Sequence, residues 1–240
     1  MLAPLTETKI PLPLSLPSTK EAYPQGEKGY YADIAKAYQE ELKKLYALGC
    51  RNVQVDDPLL AYFCDASMLK GMKAEGIDPE VELSNYIKLY NDCFEGKPAD
   101  MSVGIHLCRG NFVGGMHFSE GSYSHIAKRL FSEIQADVYY LEYDTERAGT
   151  FEPLVEVPKD KLIVLGVISS KLGQLESAEA MEEKVRSAAK MMAKGAGTSE
   201  EEALQRLAIS PQCGFAVSQT WPSRRRQGMM TACSDRKSVV

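Results

Sequence analysis

The chain has 240 residues, 44% of them hydrophobic and 25% charged, and its formal net charge is −5. This composition is typical of a globular protein and excludes a disordered, fibrous or membrane-spanning chain. Because 28 basic residues are spread among 33 acidic ones, most of the chain offers no basic surface, and we expect no nucleic-acid partner. No apolar run is long enough to span a membrane and residues 1–20 lack the features of a signal peptide, so we expect a cytoplasmic protein without a membrane partner.

Residues 2–24 contain five prolines, so this opening segment is predicted to be looped, with one strand-like piece at residues 9–12. Apolar residues then recur at steps of three and four over residues 30–48, which predicts an amphipathic helix. A short β-branched run follows and ends at Asp56, Asp57 and Pro58, as expected for a strand that enters a polar loop.

The rest of the chain continues to alternate between helix and strand. We predict helices over Pro79–Phe94, 123–135, 178–194 and 200–207, and strands over 102–108, 137–143, 161–169 and Leu207–Pro211. This alternation indicates an α/β protein with right-handed crossovers and a parallel sheet. Since no glycine-rich phosphate loop is present, it favours a TIM (β/α)8-type barrel over a nucleotide-binding open sheet.

The strand count and the composition of the chain end both suggest an incomplete barrel. Six strands are predicted, including the piece at residues 9–12, whereas a closed barrel of this type has eight. We therefore expect residues 1–216 to form an N-terminally truncated barrel. Residues 217–240 carry a net charge of +4 without apolar periodicity, and we predict an atypical basic, disordered tail, with a basic binding tail as the alternative.

Six cysteines are too few for a disulfide scaffold, and in a reducing compartment they are thiols or metal ligands. Cys50, Cys64 and Cys93 have no histidine near them in sequence, so we expect structural roles for these three. The other two cysteines of interest, Cys108 and Cys213, each follow a predicted strand.

A candidate metal site follows from the strand ends. His106 and Cys108 are two residues apart in a strand, so their side chains point to the same face. Glu142 and Cys213 end two further strands, and the carboxyl ends of barrel strands meet at one rim. One imidazole, two thiolates and one carboxylate suit Zn²⁺. Each residue taken alone would more often be a buried or ion-paired structural group.

Five segments carry a family resemblance, and their order and rough spacing are more specific than any one of them. They are Val53-Gln54-Val55-Asp56-Asp57-Pro58, Gly104-Ile105-His106-Leu107-Cys108, Tyr140-Leu141-Glu142, Val164-Leu165-Gly166-Val167 and Ser210-Pro211-Gln212-Cys213-Gly214-Phe215. The chain resembles the C-terminal zinc-binding barrel of cobalamin-independent methionine synthase, most of all its short fungal and bacterial relatives.

The resemblance implies a zinc-dependent methyltransferase of methionine biosynthesis. It assigns His106, Cys108, Glu142 and Cys213 as zinc ligands and Asp56 as the acid that holds the amino group of homocysteine. The methyl donor would be a 5-methyltetrahydrofolate, preferably polyglutamylated. Coordination of a thiol to Zn²⁺ removes its proton and leaves a nucleophilic thiolate.

The chain also departs from the family. Lys171 stands where the family has a histidine proposed to handle the proton of the donor, and Asp57 stands where a glutamate is usual. Arg109 can bind a carboxylate or phosphate of a substrate, with a structural ion pair as the alternative. We therefore expect catalytic roles for Asp56 and Lys171 and substrate-binding roles for Asp56, Asp57 and Arg109.

Two alternatives to methionine synthesis remain at this point. Zinc could activate a different thiol, because related barrels alkylate other thiols or use other methyl donors. Alternatively, the chain could be an inactive truncated fragment that retains its zinc ligands, because the early barrel segments of the family, including a Gly-Ser motif that helps to hold homocysteine, have no counterpart in it.

Overall fold

The computed structural model describes residues 21–24, 26–111, 117–171 and 175–214. The strand expected at residues 9–12 and the basic tail expected at residues 217–240 lie outside this part of the chain. None of the helices within it is long and apolar enough to cross a membrane.

Five parallel strands form one sheet in which sequence neighbours are also spatial neighbours. They are β1 (Asn52–Asp57), β2 (Ser102–Leu107), β3 (Val138–Glu142), β4 (Leu162–Ile168) and β5 (Leu207–Pro211). This order, with helical connections between successive strands, is the order that a TIM-type barrel has. The predicted α/β fold with a parallel sheet is confirmed, and all five strands that fall within the described residues lie where the sequence places them.

Helices connect the strands and cover one face of the sheet. The α-helices are α1 (Glu27–Ala47), α2 (Ala66–Ala74), α3 (Pro79–Phe94), α4 (Ala127–Glu133), α5 (Ala178–Ala196) and α6 (Glu200–Leu204), and short 3₁₀-helices occupy Leu60–Cys64, Tyr123–His125, Glu146–Ala148 and Glu152–Glu156. Helix α2 was not predicted from the sequence; Asp65 caps it by accepting hydrogen bonds from the backbone N–H groups of Ser67 and Met68.

The prediction of one continuous helix over residues 123–135 is wrong. A 3₁₀ turn at Tyr123–His125 precedes α4, and the two are separated at Ile126. The turn points the fully buried Tyr123 towards β3, where its hydroxyl group accepts a hydrogen bond from the backbone N–H of Glu142 at 3.1 Å. This tertiary contact overrides the helical periodicity of the segment.

The alternation of side chains along the strands separates the core from the site. On β1 and β2, residues such as Val53, Val55 and Ile105 are buried in the hydrophobic core with the helices. Residues of the other parity face the opposite side, and the register aligns Asp56, His106 and Tyr140 in one row across three strands. Chemistry-bearing side chains therefore share the face that the helices do not cover.

Close packing of α5 on the 3₁₀-helix Glu152–Glu156 depends on Gly195. A Cβ atom at this position would lie 1.7 Å from the carbonyl oxygen of Val155, so a side chain cannot fit without a backbone shift. Gly71 of α2, by contrast, is exposed and has no atom within 4 Å of the same position.

We expect Gly195→Ala to lower the free energy of unfolding by about 1–3 kcal/mol, as overpacking does. Gly71→Ala is the matched control and should raise it by about 1 kcal/mol through helix propensity. Urea unfolding of both variants measures the difference. Equal effects of the two substitutions would contradict the close approach of α5 to Val155.

Candidate metal centre

Three potential metal ligands converge at the carboxyl ends of β2 and β5. The ligand atoms of His106, Cys108 and Cys213 all lie within 4.8 Å of one another. His106 and Cys108 share one face because they are two residues apart. The turn after β5 brings Cys213 to them, with the carbonyl oxygen of Gln212 at 3.1 Å from Nε2 of His106.

Asp56 holds the imidazole of His106. The register of β1 and β2 sets the two residues opposite each other, and Oδ1 of Asp56 lies 2.6 Å from Nδ1 of His106. A carboxylate on Nδ1 fixes the ring and leaves Nε2 to face a metal. Burial lowers the pKa of His106, but the hydrogen bond to Asp56 and the negative charges of Cys213 and Glu142 outweigh it and raise that pKa to about 9.

The two thiols form a pair, with a distance of 3.6 Å between the Sγ atoms of Cys108 and Cys213. Their hydrogen bond raises the pKa of Cys108, as burial also does, and lowers the pKa of Cys213. Cys213 is therefore the more acidic thiol of the pair. The backbone N–H of Gly110 points at the Cys108 sulfur at 3.4 Å.

Glu142 lies just outside the group of three and is completely buried. Its Oε1 accepts a hydrogen bond from the backbone N–H of Arg109 at 2.7 Å, and its Oε2 accepts one from Nη2 of Arg147 at 2.5 Å. Oε1 is 3.8 Å from Nε2 of His106. Burial raises the pKa of Glu142, against the opposing effect of Arg147.

The donor set fits Zn²⁺. Two Zn–S bonds of about 2.3 Å at a tetrahedral angle separate the sulfur atoms by about 3.8 Å, close to the spacing of the thiol pair. Imidazole and thiolate are the ligands that this ion prefers, and Oε1 of Glu142 lies 3.8 Å from one of the three ligand residues, at Nε2 of His106.

Lys171 follows β4 at the rim of the cluster. Its Nζ donates hydrogen bonds to the carbonyl oxygen of Gly110 at 2.7 Å and to Oδ1 of Asn111 at 3.2 Å. Gln212 accepts a hydrogen bond from the backbone N–H of Ser170, so the ends of β2, β4 and β5 are tied together. Burial and the positive charge of Arg147 lower the pKa of Lys171.

The side chain of Arg109, which we expected to bind substrate, is buried against Tyr123. The side chain has no exposed surface, its guanidinium lies 4.3 Å from the ring centroid of Tyr123, and its Nε donates to the Tyr123 hydroxyl at 3.2 Å. Arg109 acts on the cluster through its backbone N–H, which holds Glu142.

The position of Asp57 gives it a structural role as well. It is 1% exposed and points from β1 into the helix layer, where it accepts hydrogen bonds from the Tyr90 hydroxyl and from the backbone N–H of Leu59. Burial raises the pKa of Asp57 to about 6, against these hydrogen bonds. Asp56, one residue earlier, points to the other face and reaches the cluster.

Two residues that hydrogen-bond to Glu142 were not predicted from the sequence: Arg147 binds its carboxylate, and Tyr123 binds its backbone N–H. Arg147 lies in the 3₁₀-helix Glu146–Ala148, and Tyr123 lies in another 3₁₀ turn. The periodic pattern at Tyr123 predicts a helix instead of this turn, the segment around Arg147 has no periodic pattern, and the pairing of Arg147 with Glu142 is visible only in three dimensions.

The fold and the cluster together define an α/β protein of TIM-barrel type with side chains able to hold a metal ion. Residues 16–234 match the family described as "Cobalamin-independent synthase, Catalytic domain". The chain belongs to this family, which confirms the resemblance found in the sequence.

Curated relatives include two uncharacterized proteins of Bacillus subtilis (strain 168). YxjH is 36% identical over 79% of this chain and 48% of its own length, and YxjG is 34% identical over 82% and 50%. The chain thus spans about half the length of the curated relatives that it matches.

Two solved structures share the fold. The putative vitamin-B12 independent methionine synthase of Listeria monocytogenes is 30% identical, with a TM-score of 0.63 over 90% of this chain and 58% of the other. A B12-independent methionine synthase of Shewanella sp. W3-18-1, solved in complex with selenomethionine, is 20% identical, with a TM-score of 0.58 over 85% and 52%. The second likeness concerns the fold alone.

The burial of Asp57 gives a testable dependence of stability on pH. Its pKa is about 6 in the folded chain, against an ordinary value of 3.8 for an aspartate exposed to water, so the folded state binds more protons between pH 4 and 6. Stability from this group therefore increases as the pH falls through that window, by about 3 kcal/mol in total.

We expect Asp57→Asn to remove this contribution. The difference in unfolding free energy between variant and unsubstituted chain should change by about 2 kcal/mol between pH 7 and pH 4, in favour of the unsubstituted chain at pH 4. Asp160→Asn, at an exposed side chain, is the control. A difference that stays constant with pH would contradict the buried, titrating position of Asp57.

Proposed function

We propose that this chain is a zinc-dependent methyltransferase that moves a methyl group from 5-methyltetrahydrofolate, preferably a polyglutamate, to the thiol of homocysteine. The observation that carries the proposal is the convergence of His106, Cys108 and Cys213 within 4.8 Å in a member of the cobalamin-independent synthase family. Methyl transfer to a thiol is the reaction class that this family membership supports.

His106, Cys108 and Cys213 would hold the metal, with Glu142 as the fourth ligand. When bound, Zn²⁺ supplies the positive charge that keeps an acceptor thiol deprotonated at neutral pH. Asp56 uses Oδ1 to hold His106, and because its side chain is 25% exposed, its second oxygen would bind an amino group of the acceptor.

The proton balance of the methyl transfer suggests a role for Lys171 as a proton donor. A bond between the methyl carbon and a donor nitrogen breaks and a bond to the acceptor sulfur forms. The acceptor loses its thiol proton, and the donor nitrogen gains a proton. Lys171 lies at the rim of the cluster, and its lowered pKa makes its ammonium group a better proton donor to that nitrogen.

A second candidate is zinc-dependent alkyl transfer to a different thiol. It is favoured by the engagement of Asp56 with His106 and by the presence of Lys171 at the position where the family has a histidine. Assays with homocysteine and with other thiols, each with and without the folate donor, discriminate between the two candidates. Transfer that needs neither homocysteine nor the folate would reject the first.

The purified chain should contain about one zinc ion per molecule, because the ligands at separate strand ends converge on a single site. The double substitution Cys108→Ser with Cys213→Ser should abolish zinc binding, whereas Cys50→Ser should not change it. Metal analysis after purification without chelators provides the measurement. Zinc content near zero, or content unchanged in the double variant, would reject the site.

The proton role of Lys171 can be separated from binding by changing the methyl donor. We expect Lys171→Met to slow transfer from the folate donor at least about 100-fold, as loss of a general acid does. Transfer from methyl iodide should stay unchanged, because iodide leaves without a proton.

Lys128→Met, at an exposed position, serves as the control for this experiment. A rate with the folate donor equal to that of the unsubstituted chain would remove Lys171 from the mechanism. An equal loss with both donors would instead assign it to binding or folding.

A further inference from the structure

A buried ion-paired group stands behind the candidate metal centre. The side chains of Glu142 and Asp144 have no exposed surface, and that of Arg147 is 7% exposed. Nη2 of Arg147 donates to Oε2 of Glu142 at 2.5 Å and to Oδ1 of Asp144 at 2.9 Å. One guanidinium thus bridges two buried carboxylates.

Arg147 is itself held by contacts on the far side from the cluster. Its Nε donates to Oγ1 of Thr145 at 3.2 Å, and its backbone carbonyl accepts from the N–H of Gly121 at 2.7 Å. The second oxygen of Asp144 accepts from the hydroxyl group of Ser169 at 3.1 Å. The guanidinium is therefore a fixed point against which Glu142 is oriented.

The two oxygens of Glu142 have different surroundings. Oε2 turns to Arg147, while Oε1 turns to the backbone N–H of Arg109 and lies 3.8 Å from Nε2 of His106. A carboxylate fixed in this way presents one oxygen towards the cluster. Hydrogen bonds to a ligating carboxylate commonly control how well it binds a metal.

We propose that Arg147 is a positioning residue that holds Oε2 of Glu142 and thereby directs Oε1 towards the metal position. The inference rests on the proposed function, because it requires metal at the His106, Cys108 and Cys213 cluster. Without Arg147, Oε2 loses its partner and the N–H of Arg109 alone holds the carboxylate, so the direction of Oε1 is less well fixed and the metal is left with three well-placed ligands.

An ion pair that only stabilises the fold would show the same contacts as one that positions Glu142. The test must therefore separate a structural role of Arg147 from a positioning role. The separation comes from a double-mutant cycle between Arg147→Gln and Glu142→Gln. If Arg147 acts through Glu142, its substitution matters only while the carboxylate is present. If Arg147 only supports the fold, its substitution has the same effect in both backgrounds.

The measurement is the affinity for Zn²⁺, determined by competition with a chromophoric chelator on the full chain. We expect Arg147→Gln to weaken it about 10- to 100-fold. In the Glu142→Gln background the same change should have less than about a twofold effect. Arg129→Gln, in a surface pair with Glu133, is the control and should leave the affinity unchanged.

Arg147→Lys provides a second variant should Arg147→Gln fail to fold, a failure that thermal unfolding of the metal-free chain would reveal. Lysine keeps the charge but loses the planar guanidinium and the bond from Nε to Thr145 that orients it, so we expect an intermediate affinity that again depends on Glu142. With Co²⁺ in place of Zn²⁺, Arg147→Gln should shift the ligand-field absorption bands in the same direction as Glu142→Gln.

Two outcomes would overturn the inference while the proposed function stands. They are an unchanged affinity in Arg147→Gln, and an equal loss in both backgrounds, when the unsubstituted chain binds zinc. An unsubstituted chain that binds no zinc would instead reject the proposed function, and the role of Arg147 with it.

Discussion

The parallel register between β1 and β2 is the constraint on which the site depends. It sets Asp56 opposite His106, and the bond from the N–H of Cys108 to the carbonyl oxygen of Asp57 extends the pairing by one step. A slip of one residue would exchange the two faces and turn the imidazole into the helix layer. The hydrophobic residues that alternate with these polar ones, such as Val55 and Ile105, therefore fix the geometry of the cluster through the core.

Buried charge behind the cluster demands a functional explanation more than a stabilising one. Burying Glu142, Asp144 and Arg147 costs a large desolvation energy, which their mutual attraction offsets only with good geometry, and apolar residues of similar volume can replace such groups without loss of stability. A buried carboxylate with one oxygen bound to a guanidinium and the other directed at a histidine costs more desolvation energy than an apolar side chain in the same volume. This arrangement is an effective way to orient a ligand.

The sequence predicted those parts of the molecule that a local pattern encodes. Period-two alternation identified the strands and put His106 and Cys108 on one face, and the same rule, applied to Asp56 and Asp57, would have sent Asp57 into the helix layer. The helix α2 was not predicted because it is short: Met72 is its one buried residue, and Met68 and Leu69, which pack against the core, give a stripe of little more than one turn. The role of Arg147 could not be predicted from the sequence, because its hydrogen bond to Glu142 depends on how the 3₁₀-helix Glu146–Ala148 packs against the sheet.

The pKa values of His106 and Cys108 determine which protons the proposed zinc site would release when it binds its metal. With a pKa of about 9 the imidazole of His106 carries a second proton at neutral pH, and the raised pKa of Cys108 keeps that sulfur protonated. In the proposed zinc site, Zn²⁺ would displace both protons, so its two positive charges would replace two others and the formal charge would be unchanged. The surrounding groups, among them Asp56 and Arg147, would then meet the same total charge with and without the metal. Constant charge would let the buried ion pairs keep one arrangement, while the affinity for zinc would increase with pH because binding releases protons.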